Sequence, residues 1–369
     1  MVGADFRNLQ VNFFLRPKII LMWLYLPLPT ALTMMSVIFM LAKRGAFAAE
    51  ASPKSSVTTT KIHPVTLLTF DVDGTLLQGS SKQTEVSAHA KAFMHATGKV
   101  FHDDSEYEKK FPSPLHFIPG DRYHGSTDGL IALNLAKYSA NIDSSVSYPK
   151  LSTVFENMYQ YIRRLSDEQV ADGIEALPGV VSTLQQLNMI RNKYPKNILC
   201  GLVTGNVEGI ARKKMRATGI LATGALYTLP EDTQWPGEEK TAFLGGFGSD
   251  FCSGDIDDLS RLYKDRAEQI AIATKKARAL LSADQKLVRV VHVGDAPNDV
   301  LAAKYCSESG LCGDGVTIGC IGVATGKFSA SVLEEHAGEA RPGAWEPIVL
   351  ESGMNDPKFI DSILGVLST

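Results

Sequence analysis

Four short apolar runs punctuate the chain: Val65–Phe70, Ile198–Val203, Val288–Val293 and Val316–Val323. Runs of this length read as strands buried on both faces, and the stretches between them carry mixed helical periodicity. Together they predict an α/β fold, with a Rossmann-like parallel sheet covered by helices. Between the first two runs, residues 81–175 read as largely helical, with helices expected over Glu85–Ala96, Asp128–Ser139 and Leu151–Ser166. Phe111-Pro112-Ser113-Pro114 and Ile118-Pro119-Gly120 interrupt that pattern as loops. The expected organisation is a leader over 1–60, a core built from 61–80 and 176–369, and a helical cap over 81–175 inserted after the first strand.

Three of the runs end in polar clusters: Asp71-Val72-Asp73-Gly74-Thr75, Thr204-Gly205-Asn206 and Gly294-Asp295-Ala296-Pro297-Asn298-Asp299. Sites in open parallel sheets form at the carboxyl ends of the strands, so these clusters should converge. Extended backbone puts Asp71 and Asp73 on one face, where two carboxylates repel unless a cation joins them. Gly74 lets the chain turn, so that its own N–H and that of Thr75 can meet an anion. Asp71, Asp73 and Asp295 make a hard, all-oxygen site suited to Mg²⁺, and Asp299 stands four residues beyond Asp295. Asp299 alone also reads as a favourable charge at a helix start. Thr204 offers a hydroxyl, and Gly205 and Asn206 offer N–H groups ahead of a helix. On that helix Val207, Ile210, Ala211 and Lys214 share one stripe, whereas Lys213 points elsewhere. A lysine on a buried stripe needs a charged partner, such as these carboxylates or a phosphate.

Composition excludes several other classes. The chain has 369 residues, 44% hydrophobic and 21% charged, which is the balance of a globular protein. With 37 basic and 40 acidic residues, its net charge of −3 gives no sign of nucleic-acid binding. The five cysteines show no CxxC pair and suit neither a disulfide framework nor a structural zinc site. His292 lies within a predicted strand and reads as a core residue.

Charge is unevenly spread. Seven basic and two acidic residues put positions 1–70 at +5 and the remainder at −8. Within that stretch, residues 19–42 form an uncharged run of 24, long enough to span a bilayer. Ala46-Phe47-Ala48 offers a processing site, and 51–69 is rich in Ser and Thr without an acid. The leader therefore fits either a membrane anchor or a targeting segment cleaved on delivery to an organelle or the secretory route.

The set of motifs, taken in order, resembles the haloacid dehalogenase-like hydrolase superfamily. Phe70-Asp71-Val72-Asp73-Gly74-Thr75-Leu76 is similar to its first motif, Val203-Thr204-Gly205-Asn206 to its second, and Val293-Gly294-Asp295-Ala296-Pro297-Asn298-Asp299 to its fourth. Lys214 stands in the helical placement of the third, although the Lys-Pro-x-Pro segment of many relatives is missing. Leu177-Pro178-Gly179-Val180, Gly125-Ser126-Thr127-Asp128, Gly246-Phe247-Gly248-Ser249-Asp250 and Ala324-Thr325-Gly326 resemble segments of the phosphoglycolate-phosphatase-like branch.

The resemblance implies a mechanism. Asp71 would attack phosphorus, and Asp73 would protonate the leaving oxygen and then activate water. Thr204 and Lys214 would hold the phosphoryl oxygens, with Gly74, Thr75, Gly205 and Asn206 as substrate contacts. Mg²⁺ would lie with Asp71, the Asp73 carbonyl and Asp295, and Asp299 would orient its water or Lys214. The implied substrate is a small phosphorylated metabolite, with phosphoglucomutase-like, phosphonatase-like and inactive scaffold roles as alternatives. In the cap, His116, Arg122, His124, Thr127 and Asp128 are candidate substrate contacts, and Asp128 is equally a candidate helix cap.

Overall fold

The computed structural model describes residues 62–79, 86–194, 197–229 and 242–368. The expected leader over 1–60, including the 19–42 run, lies outside them. No helix among the described residues is long and apolar enough to cross a membrane.

The strands in chain order are β1 (His63–Phe70), β2 (Leu77–Gly79), β3 (Ile174–Ala176), β4 (Ile198–Thr204), β5 (Thr228–Leu229), β6 (Ala242–Phe243), β7 (Gly245–Phe247), β8 (Gln285–Gly294), β9 (Thr317–Val323) and β10 (Trp345–Leu350). Six of them form a parallel sheet in the order β10-β9-β8-β1-β4-β7. The predicted runs became β1, β4, β8 and β9. Their alternation divides the core: Leu68 and Phe70 join the layer with the helix Val180–Lys193, whereas Val65 and Leu67 join the layer with the helices Arg261–Ala279 and Pro297–Ser309.

Two edge strands escaped the pattern. β10 is buried chiefly at its two ends, so it has no continuous apolar run. β7 is Gly245-Gly246-Phe247, and a Cβ on Gly246 would strike the Gln269 carbonyl, because the helix Arg261–Ala279 lies directly on this strand.

The helical insert expected to serve as a cap leaves and returns through the antiparallel pair β2–β3, where Leu77 faces Ala176 and Gly79 faces Ile174. Its helices are Ala88–Thr97, Asp128–Ala140, Leu151–Arg163 and Asp167–Ala171, with shorter turns between them. Ser87 caps the first by accepting from the Ala90 N–H at 3.2 Å, which starts the helix later than the expected Glu85. The third ends before Ser166 because that residue caps the next helix in a reciprocal box with Gln169. Leu151, Val154, Phe155, Met158 and Ile162 form the buried stripe of the third helix.

The cap core also includes residues from outside the insert. Cys252 and Ile256, from the loop after β7, and Val207 and Ile210, from the segment after β4, pack into it. Three further contacts bind that loop to the cap: Arg122 Nη1 donates to Ile256 O at 2.6 Å, Tyr148 Oη to Cys252 O at 2.9 Å, and Lys137 Nζ to Asp257 Oδ1 at 2.7 Å. Residues 60–369 accordingly form one unit by their internal contacts. All five cysteines are free and buried.

Candidate active site

Strand register brings the polar clusters together. Phe70 pairs with Leu202 on one side and Val293 on the other, so β1, β4 and β8 run out side by side. Asp71 leaves the sheet while its N–H donates to Val293 O at 2.9 Å. Gly74 turns the chain at φ +89°, and a Cβ there would collide with the Asp295 carboxylate.

Asp71, Asp295 and Asp299 are buried and offer carboxylate oxygens that all lie within 4.8 Å of one another. Among the described residues, one arginine pairs with two of them. Arg266, on the helix Arg261–Ala279, donates from Nη1 to Asp71 Oδ1 at 2.7 Å and meets Asp299 Oδ1 at 3.3 Å. Burial raises the Asp71 pKa against the pull of Arg266, and repulsion from Asp299 and Asp73 adds to the rise. Burial, then Asp299 and Asp71, push Asp295 well above the ordinary carboxylate range. Asp299 is held low: Arg266 and His292 outweigh its burial. His292, fully buried, sits 3.4 Å from Asp299 Oδ1 and 3.0 Å from Thr69 Oγ1, and the Ala296 N–H donates to Asp299 Oδ2 at 3.1 Å. Three buried carboxylates against one guanidinium leave excess negative charge on hard oxygen donors, so the set fits a Mg²⁺ ion.

Asp73 turns the other way. Lys214 Nζ donates to both of its oxygens, at 2.8 and 2.7 Å, and Asn206 Nδ2 to Oδ2 at 2.9 Å. Burial opposes ionisation, but 49% of the side chain faces open space; Lys214 and then His89 win, holding the carboxyl at about 2. Lys214 Nζ also donates to Asn206 Oδ1 at 2.7 Å and lies 3.0 Å from His89 Nδ1. His89 Nε2 in turn lies 3.1 Å from Asp128 Oδ2, which accepts from the Val207 N–H at 2.8 Å. The chain Asp128–His89–Lys214–Asp73 thus runs from cap to core.

These groups border a cleft of about 480 Å³. Among the expected residues, Asp71, Asp73, Gly74, Thr204, Gly205, Asn206, Lys214 and Asp295 line it. Thr75, expected to face substrate, instead donates to Asp295 Oδ1 at 3.0 Å and is 1% exposed, so it positions that carboxylate. Lys214, expected to pair with these carboxylates and a phosphate, meets Asp73, whereas Arg266 stands beside Asp71. Asp299 meets Arg266 rather than Lys214, and the Asp73 side chain stands apart from the acidic triad. Lys213 points away, to Asp167 Oδ1 at 2.8 Å.

In the cap, His124 and Asp128 line the cleft, whereas His116, Arg122 and Thr127 do not. Asp128 starts its own helix, but its carboxylate caps the core helix Glu208–Ala217 through Val207 instead. Sequence reasoning missed Arg266, His89, Tyr123 and Lys327. A signal for Arg266 was present, since it falls on one helical stripe with Ile270, Ala273 and Ala277, the same test that singled out Lys214.

A family model described as haloacid dehalogenase-like hydrolase matches residues 65–306. Among solved structures, the chain is similar to an archaeal β-phosphoglucomutase from hyper-thermophilic Pyrococcus sp. strain ST 04, at 14% identity and TM-score 0.32, over 82% of this chain and 99% of that one. No curated protein matches the chain.

Proposed function

Because the chain belongs to the haloacid dehalogenase-like hydrolase family, we propose that it is a Mg²⁺-dependent phosphatase acting on a small organic phosphate ester through a phosphorylated Asp71. One observation carries this reading. Two carboxylates two positions apart have separate partners, Arg266 on Asp71 and Lys214 on Asp73. Opposed environments of this kind divide the nucleophile from the acid–base group.

Asp71, Asp295 and Asp299 would hold Mg²⁺, which when bound supplies positive charge that draws an anionic phosphoryl group to the Asp71 carboxylate. Arg266 fixes Asp71 Oδ1, leaving Oδ2 to attack phosphorus as the ester P–O bond breaks. The departing oxygen takes a proton from the Asp73–Lys214 pair. In the free protein that proton rests on Lys214 Nζ, and a phosphoryl anion beside Asp73 raises the carboxyl's affinity for it. Asp73 then takes a proton from water as the water attacks the phosphorylated Asp71, releasing phosphate and restoring the carboxylate. Thr204 Oγ1 accepts from Asn206 Nδ2 at 3.0 Å, which leaves its own proton for a phosphoryl oxygen.

The test is phosphate release by the full-length chain from a panel of small phosphate esters, with Mg²⁺ and with chelator, beside Asp71→Asn. Release that needs both the metal and Asp71 is expected. Release that survives Asp71→Asn would overturn the reading.

A further inference from the structure

The segment Gly125-Ser126-Thr127-Asp128 ends at a carboxylate that the reaction steps above leave without a part. Its backbone is fixed first. The Asp128 N–H donates to Gly205 O at 2.8 Å, and a Cβ on Gly205 would stand 2.9 Å from the Thr127 Cα. Only a glycine there lets the start of the helix Asp128–Ala140 press on the turn that follows β4.

The carboxylate then closes a ring. Asp128 Oδ2 accepts from the Val207 N–H at 2.8 Å and lies 3.1 Å from His89 Nε2, and His89 Nδ1 lies 3.0 Å from Lys214 Nζ. Val207 precedes the helix Glu208–Ala217, and Lys214 stands about two turns along it. Two residues of the helical insert therefore bracket those turns, one at the backbone and one at the ammonium. The ring is largely closed to water, since the side chains of His89 and Asp128 are 14% and 3% exposed. The His89 imidazole is also stacked on Phe93, with centroids 5.0 Å apart, which fixes its plane.

This matters for Lys214 because an ammonium on a flexible four-carbon stem takes its place from the groups it touches. Both oxygens of Asp73 and Asn206 Oδ1 hold it from the core, and His89 holds it from the insert. We propose that Asp128 is a positioning residue. By holding His89 and the Val207 N–H at once, it sets Lys214 against Asp73 and keeps in order the pair that protonates the leaving oxygen. It acts through His89 and Lys214 and takes no proton itself. The proposal rests on the phosphatase reading for the step it serves, but the ring can be read without turnover.

Leaving groups separate positioning from a merely structural role. An alkoxide must take a proton as it departs, whereas p-nitrophenolate departs without one, and kcat/KM reports the step that expels it. In the full-length protein with Mg²⁺, Asp128→Ala should lower kcat/KM for ethyl phosphate at least about tenfold more than for p-nitrophenyl phosphate. His89→Ala should show the same selectivity and carries the comparison if Asp128→Ala does not fold. His89→Gln, whose amide oxygen can accept from Lys214, should recover part of the loss. The double variant should lose little beyond the larger single loss, because both residues act through Lys214.

NMR of the ¹⁵N-lysine-labelled protein reads the ring directly, with the Lys214 ammonium assigned by its absence in Lys214→Met. Its protons should exchange with water at least about tenfold faster in either alanine variant than in the parent. Equal losses on the two esters, no loss on either, or unchanged exchange at Lys214 would overturn the positioning role. Absence of Asp71-dependent turnover of both esters, with the faster exchange present, would overturn the phosphatase reading alone.

Discussion

The Arg266 guanidinium donates to the Asp71 carboxylate at 2.7 Å, across 195 positions of sequence. It is the cation that the three-carboxylate cluster has at hand, and it is itself 2% exposed. Removing one partner from such a buried pair leaves uncompensated charge, which costs about 3–5 kcal/mol. Arg266→Met should therefore lower stability by that order in urea unfolding. The variant should also gain more from added Mg²⁺ than the parent does, because more negative charge awaits the ion. A variant as stable as the parent, with no greater gain from Mg²⁺, would contradict this assignment of the charge.

Thr204 is fully buried, with its oxygen already accepting from Asn206. Thr204→Val keeps the shape and removes the donor. Turnover should fall about 10- to 1,000-fold, the range for loss of one charge-stabilising donor, with the melting temperature little changed. Undiminished turnover would remove Thr204 from the phosphoryl site.

Lys214→Met releases Asp73 from the ammonium that contacts both of its oxygens. Turnover should fall about 100- to 10,000-fold, the span attributed to a positioned acid–base group. A variant that retains most of its activity would show that Asp73 works without this partner.

Much of the core chemistry was legible because each cluster ends an apolar run, and Phe70, Leu202 and Val293 share one register. The partners of the carboxylates were harder to read. Lys214 fits the buried stripe of its helix, but periodicity says which face a side chain takes, not which carboxylate it meets. Arg266 satisfied the same stripe rule and lay in a segment with no polar cluster to draw attention to it. The bond from the Thr75 hydroxyl to Asp295 joins residues 220 positions apart, and no local spacing announces it. β7 and β10 were illegible for want of a continuous apolar run. The share of Cys252 and Ile256 in the cap core is a tertiary event with no local signature.

That shared packing has its own consequence. A Cβ added at Gly129, on the cap helix Asp128–Ala140, would stand 2.7 Å from the Cys252 Cβ. Gly129→Val should cost about 1–3 kcal/mol through overpacking. Cap and core should still unfold in a single transition, because residues of both build one apolar cluster. Two resolved transitions in calorimetry of the parent protein would contradict a cap joined in this way.

Asp167 ties the cap to the core helix Glu208–Ala217. Arg216 Nε donates to its Oδ2 at 2.9 Å and Lys213 Nζ contacts its Oδ1 at 2.8 Å. Hydrogen bonding from Arg216, against burial and with help from Lys213, lowers its pKa below the ordinary 3.8. A depressed folded-state pKa means that the stabilisation is present above 3.8 and is lost as pH falls through the lower folded value. Asp167→Asn should thus melt lower than the parent at pH 7, by an amount reflecting about 1 kcal/mol or less for a partly exposed pair. The gap between the two melting temperatures should close below about pH 4. A gap that is constant with pH would mean that the carboxylate's charge contributes nothing.

The central claim is that Asp71 carries the phosphoryl group between two half-reactions. The most direct measurement mixes the full-length protein with Mg²⁺ and its best phosphate ester, quenches in acid during turnover, reduces with borohydride and maps the peptides by mass spectrometry. Borohydride converts an acyl phosphate to the alcohol, so the account predicts conversion of Asp71 to homoserine, dependent on substrate and absent with chelator. Reduction at another carboxylate, or none at Asp71 under conditions of active turnover, would contradict it.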